Sequence, residues 1–138
     1  MTAARDIMTL DPTCVRENDT LVDAARLLRD LDVGALPICG EDDRLKGMLT
    51  DRDIVVRCIA DGGDPVTTTA GSLAQGKPVT IGADDDIREA LTVMQDHQVR
   101  RLPVIDGHDL VGIISQADIA RELSATQTGE TVAEISED

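Results

Sequence analysis

Apolar residues recur along the chain in two spacings, and the same succession of spacings occurs twice. Leu21, Ala24, Ala25, Leu28 and Leu31 fall at helical intervals, and so do Ile87, Ala90, Leu91 and Met94. Each helical stretch leads into a short apolar run, Ala35 to Cys39 or Leu102 to Ile105. A polar turn follows, Gly40-Glu41-Asp42-Asp43 or Asp106-Gly107-His108-Asp109, and then a second run, Leu45 to Leu49 or Leu110 to Ile114. Two short apolar runs split by such residues predict paired strands joined by a hairpin. A further short strand is predicted ahead of each helix, at Cys14 to Arg16 and Val79 to Ile81, and a closing helix near Asp51 and Gln116. Asp19 or Thr20 suits the first helix as a cap, and Asp86 with Glu89 has the form of a capping box.

The chain is therefore a tandem repeat of β-α-β-β-α units, an α/β architecture. Residues 20–38 align with 86–104 at an offset of 66, pairing Leu36-Pro37-Ile38 with Leu102-Pro103-Val104. One deletion then sets the offset at 65, pairing Gly47-Met48-Leu49-Thr50 with Gly112-Ile113-Ile114-Ser115 and Asp53 with Asp118. Ala4 to Met8 aligns with Ala70 to Ala74, which predicts a short helical lead-in to each unit. A unit of about 60 residues is a marginal domain, because it buries little surface. Two such units related by pseudo-two-fold symmetry can pack sheet against sheet around a shared core. The expected boundaries are 3–62 for the first unit and 66–125 for the second, with an acidic, disordered tail over 126–138.

Composition narrows the functions. The 138 residues include no Phe, Tyr or Trp, and the net charge is −14. An acidic surface without aromatic platforms gives neither counterion release nor base stacking, so nucleic acid is not an expected partner. No apolar run approaches the ~20 residues of a membrane span. Neither a secretory signal nor a membrane segment is visible, and the expected location is cytoplasmic.

The sharpest chemical pattern is Gly47-Met48-Leu49-Thr50-Asp51-Arg52-Asp53, echoed by Gly112-Ile113-Ile114-Ser115-Gln116-Ala117-Asp118. An apolar strand ends in a hydroxyl residue, and an acid follows three positions later. At a strand-to-helix junction the free N–H groups can hold an anion, and the carboxylate can accept hydrogen bonds from ribose hydroxyls. The same spacing also describes a helix cap that satisfies orphan N–H groups, and a repeated fold repeats its caps. Both readings stay open at this level.

Leu-Pro-Ile or Leu-Pro-Val on a strand, a hairpin turn, Gly-apolar-apolar-Thr or Ser, two residues, then Asp: this order resembles that of the CBS-domain family. The duplication is similar to a CBS pair, or Bateman module, over about residues 3–125. The resemblance implies two clefts between the units, each able to hold an adenine nucleotide such as AMP, ADP or ATP, with no other cofactor required. It places the ribose on Asp53 and Asp118, with Thr50 and Ser115 near the ribose or phosphate. Arg52, Arg100 and Arg101 are the phosphate candidates, since a guanidinium fork can bind two oxygens. Arg100 and Arg101 read equally as a solvated pair at a helix-to-strand turn. Val15, Ala35, Pro37, Thr80 and Pro103 would flank the base. Asp51-Arg52 in the first copy stands against Gln116-Ala117 in the second, so the two sites differ in charge. The resemblance further implies a homodimer and a separate protein partner, because no effector domain is fused.

Three cysteines, Cys14, Cys39 and Cys58, lack metal-ligand spacing. Cys14 and Cys39 fall on strands that can be neighbours, so they are either a disulfide or two reduced, buried residues. His97 and His108 have no ligand-spaced partner, and no catalytic set stands out. The expectation is a non-catalytic regulatory module that senses an adenine nucleotide; the alternative is a ligand-independent dimeric interaction protein.

Overall fold

In the computed structural model, residues 1–74 and 78–127 are described. The elements run α1 (Ala4–Ile7), β1 (Thr9–Leu10), β2 (Val15–Arg16), α2 (Leu21–Leu31), β3 (Ala35–Cys39), β4 (Leu45–Thr50) and α3 (Asp51–Ile54). A π-helical stretch (Val55–Ile59) and a 3₁₀ turn (Ala70–Leu73) follow. The second half carries β5 (Ile81–Gly82), α4 (Ile87–His97), β6 (Arg101–Asp106), β7 (Asp109–Ser115) and α5 (Gln116–Gln127). The tail expected from residue 126 begins inside α5, and residues 128–138 lie outside the described residues.

The long helices of the two repeats are built alike. Leu21, Ala24 and Leu28 are the buried stripe of α2, and Ile87, Ala90 and Met94 occupy the same positions in α4. Ala25 and Leu31 turn outward, so the apolar face is narrower than the sequence suggests. Thr20 caps α2: its hydroxyl accepts from Asp23 N–H while Asp23 accepts from Thr20 N–H. Asp86 caps α4 differently from the expected box, accepting from Arg88 N–H, and Glu89 returns no side-chain bond. Both helices stop at a left-handed residue, Asp32 (φ 54°) or Gln98 (φ 54°). Val33 N–H or Val99 N–H then closes back on Leu28 or Met94, which satisfies an orphan carbonyl.

The chain divides into two compact bodies, and these are not the linear halves. One contains residues 11–79 and 108–110; the other contains 1–10, 80–107 and the chain from Val111. Each lead-in thus packs with the repeat it does not precede. In the first body, Ala70 N–H bonds Asp19 O, Gly71 N–H bonds Glu17 O, and Leu21 N–H bonds Thr68 O. In the second, Ala4 N–H bonds Asp85 O, Arg5 N–H bonds Ala83 O, and Ile87 N–H bonds Thr2 O. These are the same three bonds at the offset of 66.

The repeated glycine of the sequence pattern is where each lead-in docks. A Cβ on Gly112 would lie 2.5 Å from Met8 Sδ, and one on Gly47 would lie 3.2 Å from the Ala74 Cβ. The first body holds a three-stranded sheet, β2-β3-β4, with β2 parallel and β4 antiparallel to β3. Its core joins Val15, Leu21, Leu28, Leu36, Ile38, Leu49 and Leu73. The second body holds the sheet β1-β7-β6-β5 and buries Ile81, Ile87, Met94, Leu102, Val104, Ile114 and Ile119. No helix among the described residues is long and apolar enough to cross a membrane.

Candidate functional site

Each body ends its main hairpin at a strand-to-helix junction, and the junction fixes the hydroxyl and the carboxylate together. Thr50 takes an extended conformation at the end of β4, which leaves the first N–H groups of α3 without helical partners. Its Oγ1 accepts from Asp53 N–H at 3.0 Å, and Asp53 Oδ2 accepts from Thr50 N–H at 3.0 Å. Ser115 and Asp118 repeat both bonds at 3.0 Å. The capping geometry is thus present in both copies. Only Oδ2 of each acid is used by it, and neither hydroxyl spends its own proton.

The remaining oxygens differ. Asp53 Oδ1 has no partner among the described residues, whereas Asp118 Oδ1 is held by Arg121. Position 121 corresponds to Val56 in the first repeat, so the Asp118–Arg121 pair has no counterpart at the matching position. The junctions also differ behind the helix start. Asp51 N–H bonds Gly34 O, while Gln116 N–H bonds Arg100 O at 2.8 Å. Arg100 is thereby brought against the Ser115–Asp118 junction, and Arg101 follows it as the exposed first residue of β6. Arg52 is exposed on α3, next to an Asp51 whose Oδ1 accepts from Arg52 N–H.

The expected base-flanking residues separate by burial. Val15, Pro37 and Pro103 are buried, so what they present toward any base would be mainly backbone. Ala35 and Thr80 are half-buried. Val15, Ala35, Pro37, Thr50, Arg52 and Asp53 belong to one body, and Thr80, Arg100, Arg101, Pro103, Ser115 and Asp118 to the other.

Cys14 and Cys39 are joined as a disulfide with Cα atoms 5.7 Å apart, and Cys58 is free and buried. The bridge spans the start of β2 and the end of β3. Arg16 reinforces that edge: Nη1 donates to Gly40 O at 2.9 Å and Nη2 reaches Asp43 Oδ1 at 2.7 Å. Hydrogen bonding to Asp43 holds Arg16 more firmly charged than usual. In the same turn, the Arg44 N–H and then Lys46 lower the pKa of Asp42. In the other body, Arg5 bonds Asp84 at 2.7 Å and Asp106 at 3.3 Å, and Arg5 lowers the pKa of Asp84. Residue spacing could not have found Arg5, whose partners lie 79 and 101 residues away, whereas Arg121 stands three residues after Asp118 on one helix, a spacing that could have been read.

The family description "CBS domain" matches residues 4–59 and 70–125, both repeats and most of the chain. The chain belongs to the CBS domain family. Among curated CBS relatives, Hypoxic response protein 1 of Mycobacterium tuberculosis is 58% identical over 123 residues, covering 89% of this chain and 86% of that protein. CBS domain-containing protein YhcV of Bacillus subtilis is 38% identical over 141 residues, covering 99% and 96%. The crystal structure of Hypoxic Response Protein I with two coordinated zinc ions has a TM-score of 0.83 at 58% identity, covering 87% of this chain and 98% of that one. A CBS domain pair in complex with 5′-methylthioadenosine and S-adenosyl-L-methionine has a TM-score of 0.79 at 25% identity, covering 91% and 98%.

Proposed function

We propose that this CBS pair is a non-catalytic regulatory module that binds an adenine nucleotide or a related adenosine compound and passes its state to a partner protein. The observation that carries the reading is the Thr50–Asp53 junction. One carboxylate oxygen is locked by the cap, the other has no partner among the described residues, and the Thr50 hydroxyl keeps its proton to donate. A vicinal pair of ribose hydroxyls suits such an acceptor, and Arg52 is the nearby cation in sequence for phosphate. The adenosine ligands of the structurally similar CBS pair point to the same chemical class. A ligand alters signalling only by binding one conformation better than another.

Zinc accompanies the hypoxic-response relative. The described residues of this chain bring no three His, Cys, Asp or Glu side chains together to hold a metal, so no step is assigned to one.

The second reading is a ligand-independent dimeric interaction protein. Val55, Val56 and Ile59 favour it, being 58%, 41% and 51% exposed on one helical stretch.

Thermal shift with AMP, ADP, ATP, S-adenosylmethionine and 5′-methylthioadenosine separates the two. A ligand at a hundred times its Kd stabilises by about 2.7 kcal/mol. Asp53→Asn keeps an oxygen for the cap and removes the charge, and is expected to abolish the shift of the best ligand. Absence of any shift with all five at millimolar concentration overturns nucleotide binding and leaves the second reading.

A further inference from the structure

Cys14 and Cys39 sit differently around their shared bond. Cys39 is 2% exposed, whereas Cys14 is only half-buried. Both line an open depression of ≈ 380 Å³. Asp11, Asp43 and Arg16 line it too. Two carboxylates therefore face one guanidinium, and that guanidinium is already bound to Asp43. The matching positions of the second repeat are Thr80 and Ile105, so the arrangement occurs once.

We propose that Cys14–Cys39 is a reversible thiol-exchange site for small neutral or cationic thiols, independent of any nucleotide at the Thr50–Asp53 junction. The thiolate attacks Cys14 Sγ, which belongs to the less buried residue of the pair. A new bond forms to Cys14 Sγ, the Cys14–Cys39 bond breaks, and its electron pair leaves on Cys39 Sγ, which takes up a proton. A second thiol attacks the mixed disulfide. Cys14 is released reduced and the two reagent sulfurs are joined, so two electrons and two protons pass from the thiol pair to the cysteine pair. Exchange rates depend on which sulfur is attacked and on access to it. The excess of carboxylates disfavours anionic thiols.

The mechanical consequence falls on β2. That strand meets β3 through only two residue pairs, Val15 with Ile38 and Arg16 with Cys39. With the disulfide cut, β2 loses its covalent tie to β3 and becomes the element that loosens.

The test treats air-oxidised protein with cysteamine or with 2-mercaptoethanesulfonate in native buffer, quenches with acid and maps the adducts by mass spectrometry. Each rate is divided by that of the same thiol with a small reference disulfide. The expected result is an adduct on Cys14 with Cys39 free and Cys58 untouched. Cysteamine is expected to be roughly ten-fold faster at low salt, with the gap closing at high salt. Hydrogen exchange at Glu17, whose N–H bonds Cys39 O across the two strands, is expected to rise on reduction. Adducts on Cys39, equal normalised rates, reduction only in denaturant that also exposes Cys58, or two free thiols before any reagent is added would each overturn the proposal.

Discussion

The first and second repeats share a skeleton and differ in almost everything hung on it. The buried positions 21, 24 and 28 recur as 87, 90 and 94, the lead-in bonds recur pair by pair, and the capped junction recurs with equal distances. The disulfide, the π-helical stretch after α3 and an Asp53 Oδ1 without a partner among the described residues occur in the first repeat; the Asp118–Arg121 ion pair and the longer α5 occur in the second. Burial and backbone bonding tolerate few residues, so they keep two copies alike. Exposed positions carry no such constraint, and there one junction keeps an open acceptor while the other fills it.

The skeleton is where the largest effects are expected. Leu49 and Ile114 are matched and fully buried, so Leu49→Ala and Ile114→Ala should each lose about 2–5 kcal/mol in urea unfolding. Losses differing by more than about 2 kcal/mol would mean that the two cores are not equivalent.

Next comes the bridge of the first repeat. Cys14→Ser with Cys39→Ser opens a loop of 25 residues, and the chain-entropy treatment gives a loss of about 3.5 kcal/mol. Thr80→Ser at the matching place should stay within about 0.5 kcal/mol, because no bond is at stake. Unchanged stability in the double serine variant would erase this difference between the repeats.

The caps should behave alike again: Thr50→Ala and Ser115→Ala are each expected to cost about 1 kcal/mol in the same unfolding measurement. The smallest effect is acid dependence. Asp84 has its pKa lowered by Arg5, and the matching positions are Asn18 and Gly71, so the pair belongs to the second repeat. A depressed carboxyl stabilises above its unfolded pKa and loses that contribution as pH falls through its folded one. Asp84→Asn is therefore expected to flatten the acid limb of a urea-midpoint profile slightly, and an identical limb would remove the asymmetry.

Much of the skeleton was legible in the sequence because periodic burial leaves a periodic pattern. The hairpin β3–β4, the helix α2 from Leu21 to Leu31 and the coupling of Thr50 to Asp53 all follow from local spacing. The rest depends on contacts between residues distant in sequence. Nothing in Gly47 or Gly112 says that a lead-in packs there. Helical spacing marks Ala25 as well as Ala24 as apolar, yet only Ala24 is covered. Nothing in the local spacing around Val15 and Pro103 says that both are buried in the fold, Pro103 between two other buried residues of β6. The choice between cap and ligand site was open in sequence, and the structure shows the cap alongside an acceptor that the cap does not use.

The exchanged lead-ins have a consequence for divisibility. A cut between residues 62 and 66 would give two fragments, each carrying the piece that completes the other and lacking its own. Each fragment is expected to be unstable in isolation, and mixing them should restore what separation removes.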